Sequence, residues 1–283
     1  MDYIYKAKEI FKYPFRIARN FFIRPLLLRE KWNSVYAEWM FIRQSEKYNI
    51  MLPAGLGDTR FMIQISQKLE KKLGGEIVFF IRPSHEIIFK MFSKSNYAVM
   101  QSMDCERDVF LHSWKNSKRK PEIGRLFLGH WHFCDNLKNL YEYSMFQSYC
   151  KFWDIDFNES DYLSPSFFPG MPKNVLSKKI DYDKTVLLCP ETLSGGHALY
   201  FDLFKDISKT LKSKGYSVIA NISNPKNNLP FAENMNMDLE DMIAVASNVK
   251  FIISARSGFC DIMAEKKEKL FIIYMNIKIK IVD

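Results

Sequence analysis

The sequence predicts an α/β protein made of two units of alternating strands and helices, with parallel sheets facing each other across a cleft. Three observations predict it. Short apolar runs rich in Val, Ile, Phe and Leu recur along the chain, as in Glu76–Arg82, Thr185–Cys189 and Lys250–Ser254. Most are followed by a segment of helical period, the order that builds βαβ units. Between the two sets, Ser164–Lys184 carries Pro165, Pro169, Gly170 and Pro172 with little pattern of its own, and reads as a linker.

Taken in order, Asn49–Leu52 is the first strand and Phe61–Lys72 the first helix, ended by Gly74-Gly75 after the basic pair Lys71-Lys72. Glu76–Arg82 is a buried-type strand, stopped by Pro83, and His85–Phe92 a second helix. Tyr97–Met100, Val109–Leu111 and Leu126–Gly129 are β-like pieces, and the aromatic stretch Leu137–Trp153 reads as helical. The second unit opens with strand Thr185–Cys189, then a Ser/Gly loop Glu191–His197 and a helix Tyr200–Lys214 closed by Gly215. Strand Ser217–Ile222, helix Leu239–Ala246, strand Lys250–Ser254, the helical turn Gly258–Glu265 and strand Leu270–Tyr274 complete it. The implied division is residues 1–47 as a basic amphipathic N-terminal segment, 48–163 as one α/β domain, 164–184 as linker and 185–283 as the second domain.

The composition, 47% hydrophobic with 26% charged, is that of a chain able to bury a core, which excludes a disordered protein. Five cysteines, scattered and without a CxxC pair, favour a reduced, cytoplasmic setting over a disulfide framework. No run reaches the ~20 apolar residues of a spanning helix, so neither a membrane span nor a secretory leader is expected. The net charge of +9 calls for anionic partners. Residues 1–31 hold eight basic side chains (Lys6, Lys8, Lys12, Arg16, Arg19, Arg24, Arg29, Lys31) against Asp2, Glu9 and Glu30, interleaved with Ile4, Phe11, Phe15, Phe21, Phe22, Ile23 and Leu26–Leu28. Two readings stand: an interfacial segment that meets an anionic membrane surface on its inner, cytoplasmic face, or a surface helix broken at Pro14 and Pro25. No nucleic-acid recognition motif accompanies the charge, and nucleic acid is not an expected partner.

Three stretches carry candidate chemistry. In Pro53-Ala54-Gly55-Leu56-Gly57-Asp58-Thr59-Arg60 a strand passes through two glycines into a helix that has Asp58 in its first turn. Helix N–H groups favour an ionised carboxylate there, so Asp58 is either a helix cap or a base at the carboxyl end of a strand. Gly55 and Gly57 provide the turn, with Thr59 and Arg60 beside it. The stretch is neither a GxGxxG fingerprint, since Arg60 stands third, nor a P-loop. In Ser254-Ala255-Arg256-Ser257-Gly258-Phe259-Cys260-Asp261 a strand again runs into a helix. Ser257 and the Gly258 amide are candidate phosphate ligands and Arg256 a clamp, the alternative being a capped helix in which Arg256 pairs with Asp261. In Cys189–His197, Thr192, Ser194, Gly195, Gly196 and His197 suit a diphosphate or ribose, or else form a solvated loop. His130 and His132 beside Cys134 have no partner pair at structural-zinc spacing, so they are read as an acceptor-side wall, and no metal is expected.

These pieces in this order resemble the GT-B glycosyltransferases, above all the lipopolysaccharide heptosyltransferase family. The resemblance covers roughly residues 48–275 and rests on Gly57-Asp58, on Thr185–Gly196, and on Met237–Ala264. It implies two Rossmann-like domains, an inverting transfer without metal or cofactor, a nucleotide-sugar donor and a glycan or lipid-linked acceptor in bacterial surface polysaccharide or lipopolysaccharide synthesis. By the same resemblance Asp58 is the base that deprotonates the acceptor, and the loops at 190–197 and 254–261 hold the donor. Two departures stand out: Arg256-Ser257-Gly258 with Asp261 replaces the family's Asp-Thr-Gly with a histidine three residues on, and the family's donor lysine after the TVLLC-like strand is missing. The chain also stops soon after Leu270–Tyr274, where such domains usually continue, so the second domain is expected to be compact or incomplete. The alternative expectation is a catalytically weak, glycosyltransferase-like binding or scaffold subunit of a glycan-assembly complex.

Overall fold

The computed structural model describes residues 46–52, 55–92, 95–99, 123, 126–128, 145–170, 172, 180–192 and 197–274. The expected strand 109–111 and the N-terminal segment 1–31 lie outside them.

The first unit begins with β1 (Tyr48–Met51), whose last three residues are buried. Helix α1 (Leu56–Leu73) follows. It ends at Gly74, whose φ of +72° is the left-handed geometry that glycine adopts without strain and whose N–H bonds the Glu70 carbonyl. Strand β2 (Ile77–Ile81), a 3₁₀ turn (Pro83–His85), α2 (Glu86–Phe92), β3 (Asn96–Val99), β4 (Leu126–Leu128) and α3 (Met145–Phe152) complete the unit. The strands form one sheet in the order β3-β2-β1-β4, every neighbouring pair parallel. β1 is thus central, and its carboxyl end delivers the chain to the start of α1.

The second unit contains β5 (Thr185–Cys189), α4 (His197–Ser213), β6 (Ser217–Asn221), β7 (Glu233–Met235), α5 (Leu239–Asn248), β8 (Phe251–Ala255), α6 (Gly258–Ile262) and β9 (Leu270–Ile273). Its sheet runs β7-β6-β5-β8-β9, again parallel throughout. All five residues of β5 are buried, which follows from its central place with both faces covered. Asp238 caps α5 by accepting from the Asp241 amide at 2.8 Å. The larger apolar core takes in residues of both units, from Ile50, Ile63 and Phe79 to Leu187, Val245 and Ile262, while a smaller one lies around Val186, Phe204 and Ala220.

Several boundaries differ from expectation. Helix α1 starts at Leu56 rather than Phe61, so both Gly57 and Asp58 belong to its first turn. Helix α4 starts at His197, which makes that residue the first of a helix instead of the last of a loop. The 85–92 helix opens as a 3₁₀ turn over Pro83–His85, because Pro83 presets φ for a tight start. Strand β7 is an addition: Glu-Asn-Met has little β-propensity and becomes a strand by pairing with β6 at the sheet edge. Of the expected helix 137–153, the described part is α3.

Candidate active site at the starts of two helices

The chain leaves β1 and enters α1 through Gly55, the N-cap residue, with extended backbone (φ −72°, ψ 175°). Having no side chain, Gly55 supplies no cap oxygen. Its own amide instead donates to Asp58 Oδ2 at 3.2 Å, and its carbonyl accepts from the Thr59 amide at 3.1 Å. Asp58 is therefore held in a capping geometry, the first of the two roles its position allows. The second oxygen is engaged from elsewhere: Tyr149 on α3 donates its hydroxyl to Asp58 Oδ1 at 2.9 Å.

The neighbours of Asp58 anchor the helix start. Thr59 is fully buried, and its Oγ1 lies 2.8 Å from His85 Nδ1. Burial, reinforced by the charge of Arg82, holds the His85 ring at about 4, so it is neutral at physiological pH. Arg60 is also buried. Its guanidinium stacks 3.8 Å over Phe92, donates to Gln64 Oε1, and donates to the Leu163 carbonyl at 2.6 Å. Burial brings Arg60 down to about 10, against the raising influence of Tyr162, Glu265 and Asp261. Arg60, which the sequence places beside the glycine turn, ties α1 to the segment that follows residue 160.

Helix α6 meets α1 at this point. A methyl group on Gly258 would lie 2.3 Å from the Gly57 nitrogen and 2.9 Å from Leu56 Cβ, and one on Gly57 would lie 2.7 Å from Asp261 Oδ2. Only two glycines permit so close an approach. Just ahead of α6, between the end of β8 and the cap residue Ser257, Arg256 forms a two-pronged pair with Asp261 of the helix: Nη1 to Oδ2 at 3.0 Å and Nη2 to Oδ1 at 2.8 Å. Nη1 also donates to the Ser257 carbonyl. Of the two roles open to Arg256, the pairing with Asp261 is the one present, and three of its five N–H bonds are used within the protein. Burial pushes the Asp261 carboxyl up, Arg256 opposes that, and the nearby Asp58 charge adds to it. Asp58, Asp261 and Arg256 thus share one small region. Ser257 caps α6 with extended backbone and no side-chain capping bond.

The third candidate stretch is only partly placed. Thr192 is buried after β5, and His197 begins α4, while Ser194, Gly195 and Gly196 lie outside the described residues, as do His130 and His132. Two site neighbours escaped the sequence reading. Tyr149 has no local signal, since it sits 91 residues from its partner. Glu191 stands two residues past the end of β5, after Pro190, a position that could have been noticed. It accepts from the Ser223 amide (2.7 Å) and hydroxyl, the Asn224 amide (3.4 Å) and Asn227 Nδ2 (3.1 Å). Burial works against its charge, but these bonds hold its carboxyl below the usual range and fasten the loop after β6 to that after β5.

Solved structures share this architecture. Over 82% of the chain it superposes with TM-score 0.50 and 11% identity on a dodecameric iron-containing heptosyltransferase, TibC, in complex with ADP-D-beta-D-heptose, of which it spans 58%. The chain has a GT-B, heptosyltransferase-like fold. An E. coli ADP-heptose lps heptosyltransferase II (TM-score 0.48, 14% identity, 81% of this chain and 84% of that one) and a family 9 glycosyl transferase of Veillonella parvula (0.47, 8%, 82% and 87%) match more loosely. No protein-family model and no curated protein matches the sequence. Within the heptosyltransferase-like fold, the α1–α6 contact lies where the carboxyl ends of β1 and β8 give way to helices, the place where open α/β sheets take their ligands. Among the described residues, no helix is long and apolar enough to cross a membrane, and no group of three His, Cys, Asp or Glu is arranged around a metal position.

Proposed function

We propose that this chain is an inverting, metal-independent glycosyltransferase that moves a sugar from a nucleotide sugar to a glycan or lipid-linked acceptor in bacterial surface polysaccharide or lipopolysaccharide synthesis. The units 48–163 and 185–283 serve as acceptor and donor domains on either side of a cleft. Asp58 takes the acceptor hydroxyl proton as that oxygen forms its bond to the anomeric carbon. The bond from the anomeric carbon to the diphosphate breaks on the opposite face, and its electron pair leaves with the nucleoside diphosphate. Base assistance of this kind contributes about 10²–10⁴-fold. Arg256, oriented by Asp261, directs its two remaining N–H bonds to the diphosphate, and Ser257 and the loop from Thr192 to His197 add hydrogen bonds. A methyl group does not fit between Gly57 and Gly258, so the diphosphate lies beside that contact rather than within it. The basic segment 1–31 holds the enzyme on the cytoplasmic face of an anionic membrane, beside its acceptor.

The observation that carries this reading is the meeting of α1 and α6, which puts Asp58 next to the Arg256–Asp261 pair. Its test is a panel of nucleotide sugars screened for nucleoside diphosphate release, followed by Asp58→Asn. The variant is expected to bind donor and to lose about 10²–10⁴-fold in turnover. Near-full turnover would exclude Asp58 as the base. A second reading, a glycosyltransferase-like binding or scaffold subunit, is favoured by the engagement of Arg256 with Asp261 instead of an open clamp. Calorimetry separates the two, since a scaffold of that kind binds no nucleotide sugar.

A further inference from the structure

We propose that Tyr149 is a positioning residue that holds the Asp58 carboxylate in its reactive orientation; the inference rests on Asp58 acting as the base. A carboxylate on a short side chain has a soft terminal torsion, with broad wells rather than sharp ones. One hydrogen bond leaves it free to swing. Here each oxygen has its own donor from a different part of the fold: the Gly55 amide on Oδ2 at 3.2 Å and the Tyr149 hydroxyl on Oδ1 at 2.9 Å. The first comes with the helix start itself. The second comes from α3 and exists only in the folded chain.

Tyr149 is built to be immobile. It is 1% exposed, and its ring packs against Phe61 with centroids 5.8 Å apart, while Phe61 packs in turn on Phe146 of the same helix at 5.6 Å. Phe61 lies three residues beyond Asp58 on α1, so the aromatic contact and the hydrogen bond join the same two helices. A phenol buried to this extent needs a partner, because an unpaired buried hydroxyl is penalised. Asp58 satisfies it, and a rigid ring fixes where the acceptor oxygen sits. Groups that act in proton transfer need such placement, since a displacement of about 1 Å lowers rate by about 100-fold.

The test is Tyr149→Phe, which keeps the ring and removes the hydroxyl, followed with the donor that the nucleotide-sugar panel identifies. The expected result is a kcat about tenfold lower with the donor KM unchanged, a partial form of that displacement effect. Combined with Asp58→Asn, Tyr149→Phe should lower the residual rate no further, because the group it orients is gone. A hydroxyl that serves only the fold gives a different pattern: a lowered melting temperature with kcat intact, or the same fractional loss in both backgrounds. Either outcome overturns the proposal. Wild-type kcat in Tyr149→Phe together with a dead Asp58→Asn removes the role of Tyr149 and leaves the base in place. Full activity in Asp58→Asn, or no turnover with any donor, removes the base assignment and the role of Tyr149 with it.

Discussion

The buried His85 makes stability depend on pH in a way that can be worked out beforehand. The ring is 4% exposed, faces Thr59 Oγ1 at 2.8 Å, and titrates at about 4 against an ordinary value of 6.5. Because the folded value lies below the unfolded one, protons bind the unfolded chain first as the pH falls. The neutral ring therefore contributes its full stabilisation above pH 6.5, and that contribution is lost progressively down to about pH 4. The gap of about 2.5 pH units, at about 1.36 kcal/mol each, amounts to about 3 kcal/mol. In a protein whose whole stability is about 5–15 kcal/mol this is a large fraction. His85→Asn keeps a hydrogen-bonding group near Thr59 and removes the titration. Urea unfolding at pH 7.5, 6, 5 and 4 should show the variant less stable at neutral pH but with the flatter pH dependence, the two proteins drawing together by about 3 kcal/mol. Other titrating groups are common to both and cancel in the comparison. Parallel curves, or a His85 ring that titrates near 6.5 by NMR, would refute the reasoning. The effect reaches the candidate site, since Thr59 follows Asp58 and pins the first turn of α1.

Two further predictions concern the helix contact and the basic segment. Gly258→Ala would place a methyl 2.3 Å from the Gly57 nitrogen and 3.1 Å from the Leu56 carbonyl carbon, backbone atoms that cannot turn aside. It should destabilise by about 1–3 kcal/mol and lower Tm by several degrees in a thermal melt, whereas Gly170→Ala, with nothing within 4 Å, should leave Tm unchanged; equal melts would contradict the close approach. Removal of residues 1–31 should abolish co-sedimentation with anionic lipid vesicles at low salt, and sedimentation as before would exclude that segment as the membrane contact.

Strands were the most legible part of the fold. Thr185–Cys189 is an apolar run bounded by a lysine and a proline, and it became the fully buried central strand its composition implies. Helix starts were less legible, and Gly57 shows why. In a sequence, two glycines flanking a leucine read as a turn, so Gly57 was expected in the turn that opens the helix, with the regular helical run from Phe61. In the structure Gly57 lies inside the first turn of α1, and its missing side chain makes room for α6 rather than for a bend. A residue selected for a contact 201 positions away carries the same letter as one selected for local backbone freedom. The short polar β7 escaped for a related reason, since only its pairing with β6 makes it a strand.

The candidate site divides along the same line. By itself the sequence determined the alternation of strands and helices, the two glycine-bearing helix starts and the carboxylate at Asp58, because periodicity, capping and turn chemistry act over a few residues. It also contained both roles for Arg256 without a means to choose. Tertiary structure decided that Arg256 pairs with Asp261, that Arg60 turns inward over Phe92, that α1 and α6 touch through their glycines, and that Tyr149 reaches Asp58 from α3. The physical reason is burial. A charged or hydroxyl group taken out of water must find a partner within about 3 Å, and which partner stands there depends on how distant segments pack.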